Sequence, residues 1–243
     1  MAMARPTETD RYAWPRLLVW LVAGSVVLTL ASLFAVWWAP TPPIYHYVEV
    51  TSEVNLPMWW TVLLLIAGAT LMLVVAASAA SRRVALAWRV AAVIALLMSL
   101  DDATMLHEKL GAIVERFWAD IELTFTWVVL GVPIALVVVL LAWWAARRLP
   151  RVSGRLLLGG FVVFLGAAVG FELIAEAVLG TDPHWFLYRF VYHLEEGLEM
   201  TGAALLVVAP LSDLRRVRTL SGAPAEGSAV SPSTREESAP PLA

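Results

Sequence analysis

The chain has 243 residues, of which 60% are hydrophobic and only 15% are charged, and its mean hydropathy is +0.76. A soluble domain is about 45–50% apolar and about 25% charged, so this composition excludes an ordinary soluble enzyme and predicts a multi-pass membrane protein. The absence of cysteine excludes disulfides, thiolate zinc sites and iron–sulfur clusters.

Six apolar segments are candidates for membrane-spanning helices, which need about 20 residues each. They cover residues 17–38, 58–80, 84 to about 101, 125–146, 156 to about 176, and 188–211. We therefore predict an all-α fold with six transmembrane helices in one domain, residues 17–214. Residues 1–16 form a short N-terminal segment, and residues 215–243 are predicted to be a disordered tail because they offer little to bury.

Arginine predicts the orientation of the bundle, because basic residues in short loops stay on the cytoplasmic side. The arginines precede the first span, join spans two and three and spans four and five, and follow span six: Arg5, Arg11, Arg16, Arg82, Arg83, Arg147, Arg148, Arg151, Arg155, Arg215, Arg216 and Arg218. Both termini are therefore predicted to be cytoplasmic in a multi-pass protein of the cell membrane. This explanation of the arginines requires no nucleic-acid partner.

Two shorter patterns predict local packing. Residues 110–121 mix apolar side chains with Glu115 and Arg116, which is typical of an amphipathic helix on a membrane surface. Gly166 and Gly170 have the G-x-x-x-G spacing that allows close helix packing, and they leave a homo-oligomer open.

Ionisable side chains interrupt three of the spans, in residues 99–108, 171–176 and 192–199. Each such residue costs about 2.5–3.5 kcal/mol at the bilayer centre and marks a candidate functional site. With a rise of about 1.5 Å per residue, the three segments reach the same depth in the extracytoplasmic half of the membrane. We therefore expect them to form one site.

The charge of this site predicts a bound cation. Its many carboxylates face few basic residues, so protons or a metal must supply positive charge. Carboxylates with imidazoles suit a divalent transition metal, namely zinc, manganese or iron. The predicted metal ligands are Asp101, Asp102, His107, Glu108, Glu172, Glu176, His193, Glu196 and Glu199. Glu195 and Glu196 are adjacent and cannot point the same way, so one of them is expected to be structural.

The Asp-Asp-x4-His-Glu run from Asp101 to Glu108 resembles a group of uncharacterised bacterial multi-pass membrane proteins. The combination of histidine and carboxylate near one membrane face also resembles, distantly, the intramembrane zinc hydrolases of the ceramidase and adiponectin-receptor type. That second resemblance implies a metal-bound water attacking a lipid-like substrate.

Three functions stay open on the residues alone. The first is metal binding, with a metal-dependent hydrolase or oxidoreductase acting on a membrane lipid or lipid-like substrate as its catalytic form. The second is a proton- or cation-coupled transporter, and the third is a non-catalytic binding or assembly module with a structural polar network. The cytoplasmic halves of spans three and five are almost entirely apolar, which favours a pocket open to one side.

Overall fold

Every regular element in the part of the chain that the structure describes is an α-helix. The structure, a computed structural model, describes residues 13–38, 44–50, 55–118, 126–179 and 186–221. Its helices are α1 (Ala13–Trp38), α2 (Ile44–Val48), α3 (Leu56–Ser78), α4 (Arg82–Thr104), α5 (Leu106–Phe117), α6 (Val128–Ala146), α7 (Arg151–Leu179) and α8 (Phe186–Ser221). The all-α prediction is confirmed. Most of the predicted tail lies outside the described residues, but α8 continues past residue 214 into it.

Five of the described helices are long and apolar enough to cross a membrane: α1, α3, α4, α6 and α7. The remaining long helix, α8, has 36 residues but carries acidic residues near its start and basic residues near its end. Length and composition therefore support five spans, and they do not identify α8 as the predicted sixth span.

The long helices form a closed ring. Going around it, α3 packs against α4, α4 against α6, α6 against α7, α7 against α8, and α8 against α3. Helix α1 lies outside this ring, where it contacts α8 and α3. Across the ring, α4 makes no contact with α7 or α8 at the level of the backbone within the described residues. The ring therefore encloses space between α4 and the α7–α8 pair.

One end of this space is filled by apolar side chains. We call it the arginine end, because the turns beside it carry Arg82, Arg83, Arg147 and Arg148. Trp88, Leu157 and Phe161 are fully buried there, and Trp88 donates a hydrogen bond of 3.0 Å from Nε1 to Oδ2 of Asp213. The bond ties α4 to α8 across the ring and closes this end.

Glycine allows the closest helix contacts, but at positions other than the predicted pair. A Cβ on Gly202 of α8 would lie 2.7 Å from the backbone nitrogen of Phe164 on α7, so these two backbones touch. Gly68 similarly faces the backbone of Leu206, at 3.2 Å. A Cβ on Gly166 or Gly170 would meet nothing within 4 Å, so their spacing is not used for packing within the described chain.

Candidate functional site: an acid-lined cavity

A cavity of about 480 Å³ occupies the ring at the opposite end, which we call the acid end. This volume is within the range of small-molecule sites, about 300–1,000 Å³. Its walls come mainly from α4, α6, α7 and α8, and the start of α5 covers part of it with Met105, Leu106, His107 and Glu108.

Each wall helix presents one regular stripe of side chains to the cavity. On α4 the stripe contains Ile94, Leu97, Met98, Asp101 and Asp102; on α6 Gly131, Ile134, Ala135 and Val138; on α7 Phe164, Leu165, Ala168, Val169 and Glu172; and on α8 Tyr192, Glu195, Glu196 and Glu199. Spacings of three and four residues place side chains on one face of a helix, because one turn contains about 3.6 residues. The sequence of each helix therefore determines which side chains meet here.

Seven acidic residues line the cavity, and neither lysine nor arginine is among its described lining residues. The acids are Asp101, Asp102, Glu108, Glu172, Glu195, Glu196 and Glu199, accompanied by His107. Electrostatic interactions join them across the space: Glu199 of α8 interacts with Asp102 of α4 and Glu172 of α7. The site therefore concentrates negative charge in a confined volume.

Three buried carboxylate oxygens in the cavity wall have no hydrogen-bond partner among the residues that the structure describes. They are Oδ2 of Asp102, Oε2 of Glu172 and Oε2 of Glu195, one from each of three helices. Glu172 and Glu195 are only 8% and 5% exposed. The indole of Trp127 lies near Glu172, but its Nε1 is also without a partner within hydrogen-bond distance. Since buried polar atoms are nearly always satisfied, these oxygens indicate a missing positive partner or proton.

The junction between α4 and α5 fixes the position of His107. Met105 has φ 49° and ψ 48°, a left-handed conformation that turns the chain out of α4. The carboxylate of Asp101 then accepts a 2.8 Å hydrogen bond from the backbone N–H of His107 and contacts its Nδ1 at 3.1 Å. Asp101 thus caps the first turn of α5, where Met105 provides no side-chain cap.

The ring of His107 is held on both sides. It lies 5.1 Å from the ring of Trp127, centroid to centroid, and α5 approaches α6 closely at Gly111. Burial lowers the pKa of the imidazole, but the hydrogen bond to Asp101 and the neighbouring carboxylates raise it by more, so its pKa lies above the usual 6.5. The Nδ1 of His107 is therefore occupied by its contact with Asp101.

The cavity becomes apolar towards the arginine end. Below the acids, its wall consists of side chains such as Ile94, Val138, Phe164 and Leu165. Between Gly131 and Ala142 the residues of α6 are half-buried or exposed. The cavity therefore has an acidic half and an apolar half.

Most of the predicted ligands meet in this cavity. Seven of the nine line it: Asp101, Asp102, His107, Glu108, Glu172, Glu196 and Glu199. The side chain of Glu176 lies outside the described residues. Glu195, which was not among the predicted ligands, lines the cavity together with its neighbour Glu196. Both residues therefore face the site, although one of them was expected to be structural.

His193 is not among the residues that line the cavity. It is 2% exposed, its Nδ1 donates to the carbonyl oxygen of Arg189 at 2.7 Å, and its Nε2 accepts from Oγ of Ser32 on α1 at 3.0 Å. Ser32 in turn accepts a 2.9 Å hydrogen bond from the backbone N–H of Val50. Both ring nitrogens are therefore occupied, and the bond at Nε2 attaches α8 to α1.

Helical geometry explains why Glu195 lines the cavity and His193 does not. Taking about 100° per residue from Glu195, Tyr192 and Glu199 lie at about 60° and 40°, Glu196 at about 100° and His193 at about 160°. The middle of the cavity-facing stripe falls between Glu195 and Glu196, which lets both reach the space. His193 lies beyond its edge.

The acids do not converge on one point. Among the described residues, no three histidine, aspartate or glutamate side chains are close enough together to hold a metal ion. They are distributed around the walls of the cavity instead, so a bound metal would require these side chains to draw together.

Residues 17–214 match the model of a protein family described as Domain of unknown function (DUF8692). This match covers most of the chain, including every residue that lines the cavity, and the chain belongs to that family. Neither the search of curated proteins nor that of solved structures gave a match.

Proposed function

We propose that this DUF8692 protein is a multi-pass membrane protein whose acid-lined cavity binds a divalent transition metal near the extracytoplasmic face. The observation that carries the proposal is the set of three unpartnered, buried carboxylate oxygens on Asp102, Glu172 and Glu195, which line one cavity from three helices. Buried carboxylates need a positive partner, and the described cavity wall contains no lysine or arginine to provide it.

Two features support six spans with both termini in the cytoplasm. Helix α8 closes the ring by packing against α3 and α7, and Ala203, Leu206 and Ala209 contribute to the apolar core. At the arginine end, the guanidinium groups of Arg147 and Arg148 stack over Trp143 and Trp144, at 4.4 and 3.8 Å from the ring centroids. Tryptophan is typical of membrane interfaces and arginine of the cytoplasmic side, which supports an extracytoplasmic position for the acid end.

The ligands proposed for the metal are the carboxylates of Asp102, Glu172, Glu195, Glu196 and Glu199, with His107 at the rim. Oxygen and imidazole ligands suit zinc, manganese or iron. In a hydrolytic site, zinc would lower the pKa of a bound water, whereas iron or manganese would supply redox chemistry. The identity of the metal therefore decides between a hydrolase and an oxidoreductase acting on a lipid-like substrate.

Transport through the bundle is less well supported. A path for protons or cations needs polar groups along its whole length, but the wall becomes apolar below the acids and the arginine end is closed by Trp88, Leu157 and Phe161. We therefore favour a pocket that opens on one side.

Elemental analysis of protein purified in mild detergent after expression in metal-supplemented medium tests the proposal. We expect stoichiometric zinc, manganese or iron in the wild type and loss of the metal in Glu172→Gln and Glu196→Gln. Glu115→Gln is a matched control, because Glu115 is an exposed acid on α5 that does not line the cavity. A wild type without stoichiometric metal, also after dialysis against each ion, would refute the metal site.

A further inference from the structure

The apolar half of the cavity has no role in binding a metal. The cavity as a whole extends along α7 from Phe164 to Glu172 and along α4 from Ile94 to Asp102, about 12 Å in each case. Its apolar half, from Phe164 to Val169 on α7, accounts for about 7–8 Å of this length. The apolar half is therefore long enough to accept the part of a hydrocarbon chain next to its head group, lying along the wall helices.

The rim of the cavity is apolar between α4 and α6. Leu97 of α4 and Ile134 of α6 both line the cavity, and they are 60% and 50% exposed. In a membrane, this side of the ring faces lipid. A ligand with a hydrocarbon chain can therefore enter from the bilayer without passing through water.

The acidic half selects the head group. An anionic head group would be repelled by the carboxylates, and a neutral head group would leave them without a counter-charge. A primary ammonium carries one positive charge and three N–H donors. Asp102, Glu172 and Glu195 each offer one buried oxygen without a partner, so the donors and the available acceptors are equal in number.

We propose that the cavity binds a single-chain amphiphile with a primary ammonium head group, the head between Asp102, Glu172 and Glu195 and the chain in the apolar half. The distribution of the acids favours this ligand over a metal, because the oxygen partners of an ammonium nitrogen lie at about 2.7–2.9 Å, farther apart than around a metal with bonds of about 2.0–2.2 Å. The inference rests on the proposed binding of a cation at the acid end, but it does not depend on the metal.

The test measures binding of radiolabelled dodecylamine to full-length protein in maltoside micelles after removal of metal with a chelator. We expect saturable binding, displaced by unlabelled dodecylamine but not by dodecanol, butylamine or dodecyl sulfate. Replacing one charged partner should weaken binding about tenfold or more in Glu172→Gln and Glu195→Gln. Added zinc should compete, because it uses the same oxygens.

Two substitutions test the apolar half separately. Ala168→Phe on α7 and Ala135→Phe on α6 each place a ring in the cavity and should abolish amine binding while leaving metal content unchanged. Val162→Phe is the control, because Val162 is an exposed residue of α7 that does not line the cavity. The second cavity variant keeps the test valid if the first does not fold.

The outcomes separate the two proposals. A wild type that holds stoichiometric metal but binds dodecylamine no better than dodecanol would overturn the ammonium site and leave the proposed function standing. Amine binding in a protein that takes up no metal would overturn the metal site and leave the ammonium site standing. Amine binding unaffected by both cavity-filling variants would show that the chain does not lie in the apolar half.

Discussion

Replacing His193 by leucine separates a structural histidine from a metal ligand. Its Nε2 accepts a buried hydrogen bond from Ser32, which is fully buried on α1, and its Nδ1 donates to a carbonyl of its own helix. In His193→Leu the carbonyl of Arg189 can still accept the backbone hydrogen bond of the helix. The Ser32 hydroxyl, however, loses its acceptor. A buried donor left without a partner costs about 1–3 kcal/mol, equivalent to about 5- to 150-fold in the unfolding equilibrium.

The assay is reversible unfolding in mixed micelles, followed by circular dichroism, together with the metal content of each variant. We expect His193→Leu to be less stable than the wild type but to retain its metal. Glu196→Gln should show the reverse, loss of metal from a protein that still folds. In a double-mutant cycle with Ser32→Ala, the coupling energy should be about 0.5–2 kcal/mol, in the range expected for contacting residues.

The refuting results concern both measurements. Loss of metal in a folded His193→Leu protein would make His193 a ligand and would require a rearrangement of its bond to Ser32. A coupling energy near zero in the cycle would mean that the Ser32–His193 bond does not stabilise the packing of α8 on α1. Either result would reject the assignment of His193 to the helix interface.

Further substitutions test the packing and the cap. Gly202→Ala should destabilise the protein by about 1–3 kcal/mol, because the new Cβ would press on a backbone nitrogen of α7. Gly159→Ala is the control, since its Cβ would have no described atom within 4 Å, and it should leave the melting temperature unchanged or slightly raised. Trp88→Phe should cost about 1–3 kcal/mol in unfolding free energy, and less when combined with Asp213→Leu, because the double variant leaves no buried carboxylate unpaired. Asp101→Ala should accelerate amide hydrogen exchange in the first turn of α5 about fivefold, consistent with a cap worth about 1 kcal/mol, and Asp101→Asn should restore much of the protection.

The sequence predicts the helices well because apolar length and arginine position are local properties. Each of the six predicted spans coincides in most of its length with a helix of the structure. The amphipathic segment predicted at 110–121 is also helical as far as Phe117, but α5 begins earlier, at Leu106. Its start depends on Met105 and on the cap from Asp101, which a hydrophobic pattern does not reveal.

The cavity was predictable in part. Helical spacing groups the acids of each span on one face, and a common depth brings the three groups together. The centre of each face is set by which neighbours a helix packs against, and this depends on contacts between distant segments. The partner of His193 is Ser32, on the first span, and no pattern within residues 192–199 points to it.

The acidic half of the cavity has a cost that the rest of the fold must offset. An ionised acid in a membrane span costs about 2.5–3.5 kcal/mol at the bilayer centre, while the whole stability of a typical domain is about 5–15 kcal/mol. Five acids lie on the spanning faces of α4, α7 and α8 deep enough to share the cavity: Asp102, Glu172, Glu195, Glu196 and Glu199. If all of them were ionised and unpaired, their cost alone would reach the total stability, so the folded protein must hold protons or bound cations there. Any cation that binds only the folded state stabilises it by an amount that rises with the logarithm of the cation concentration above its Kd. The melting temperature should therefore rise with the concentration of the cation that fills the cavity, and the carboxamide variants, which have less charge to neutralise, should show a smaller rise.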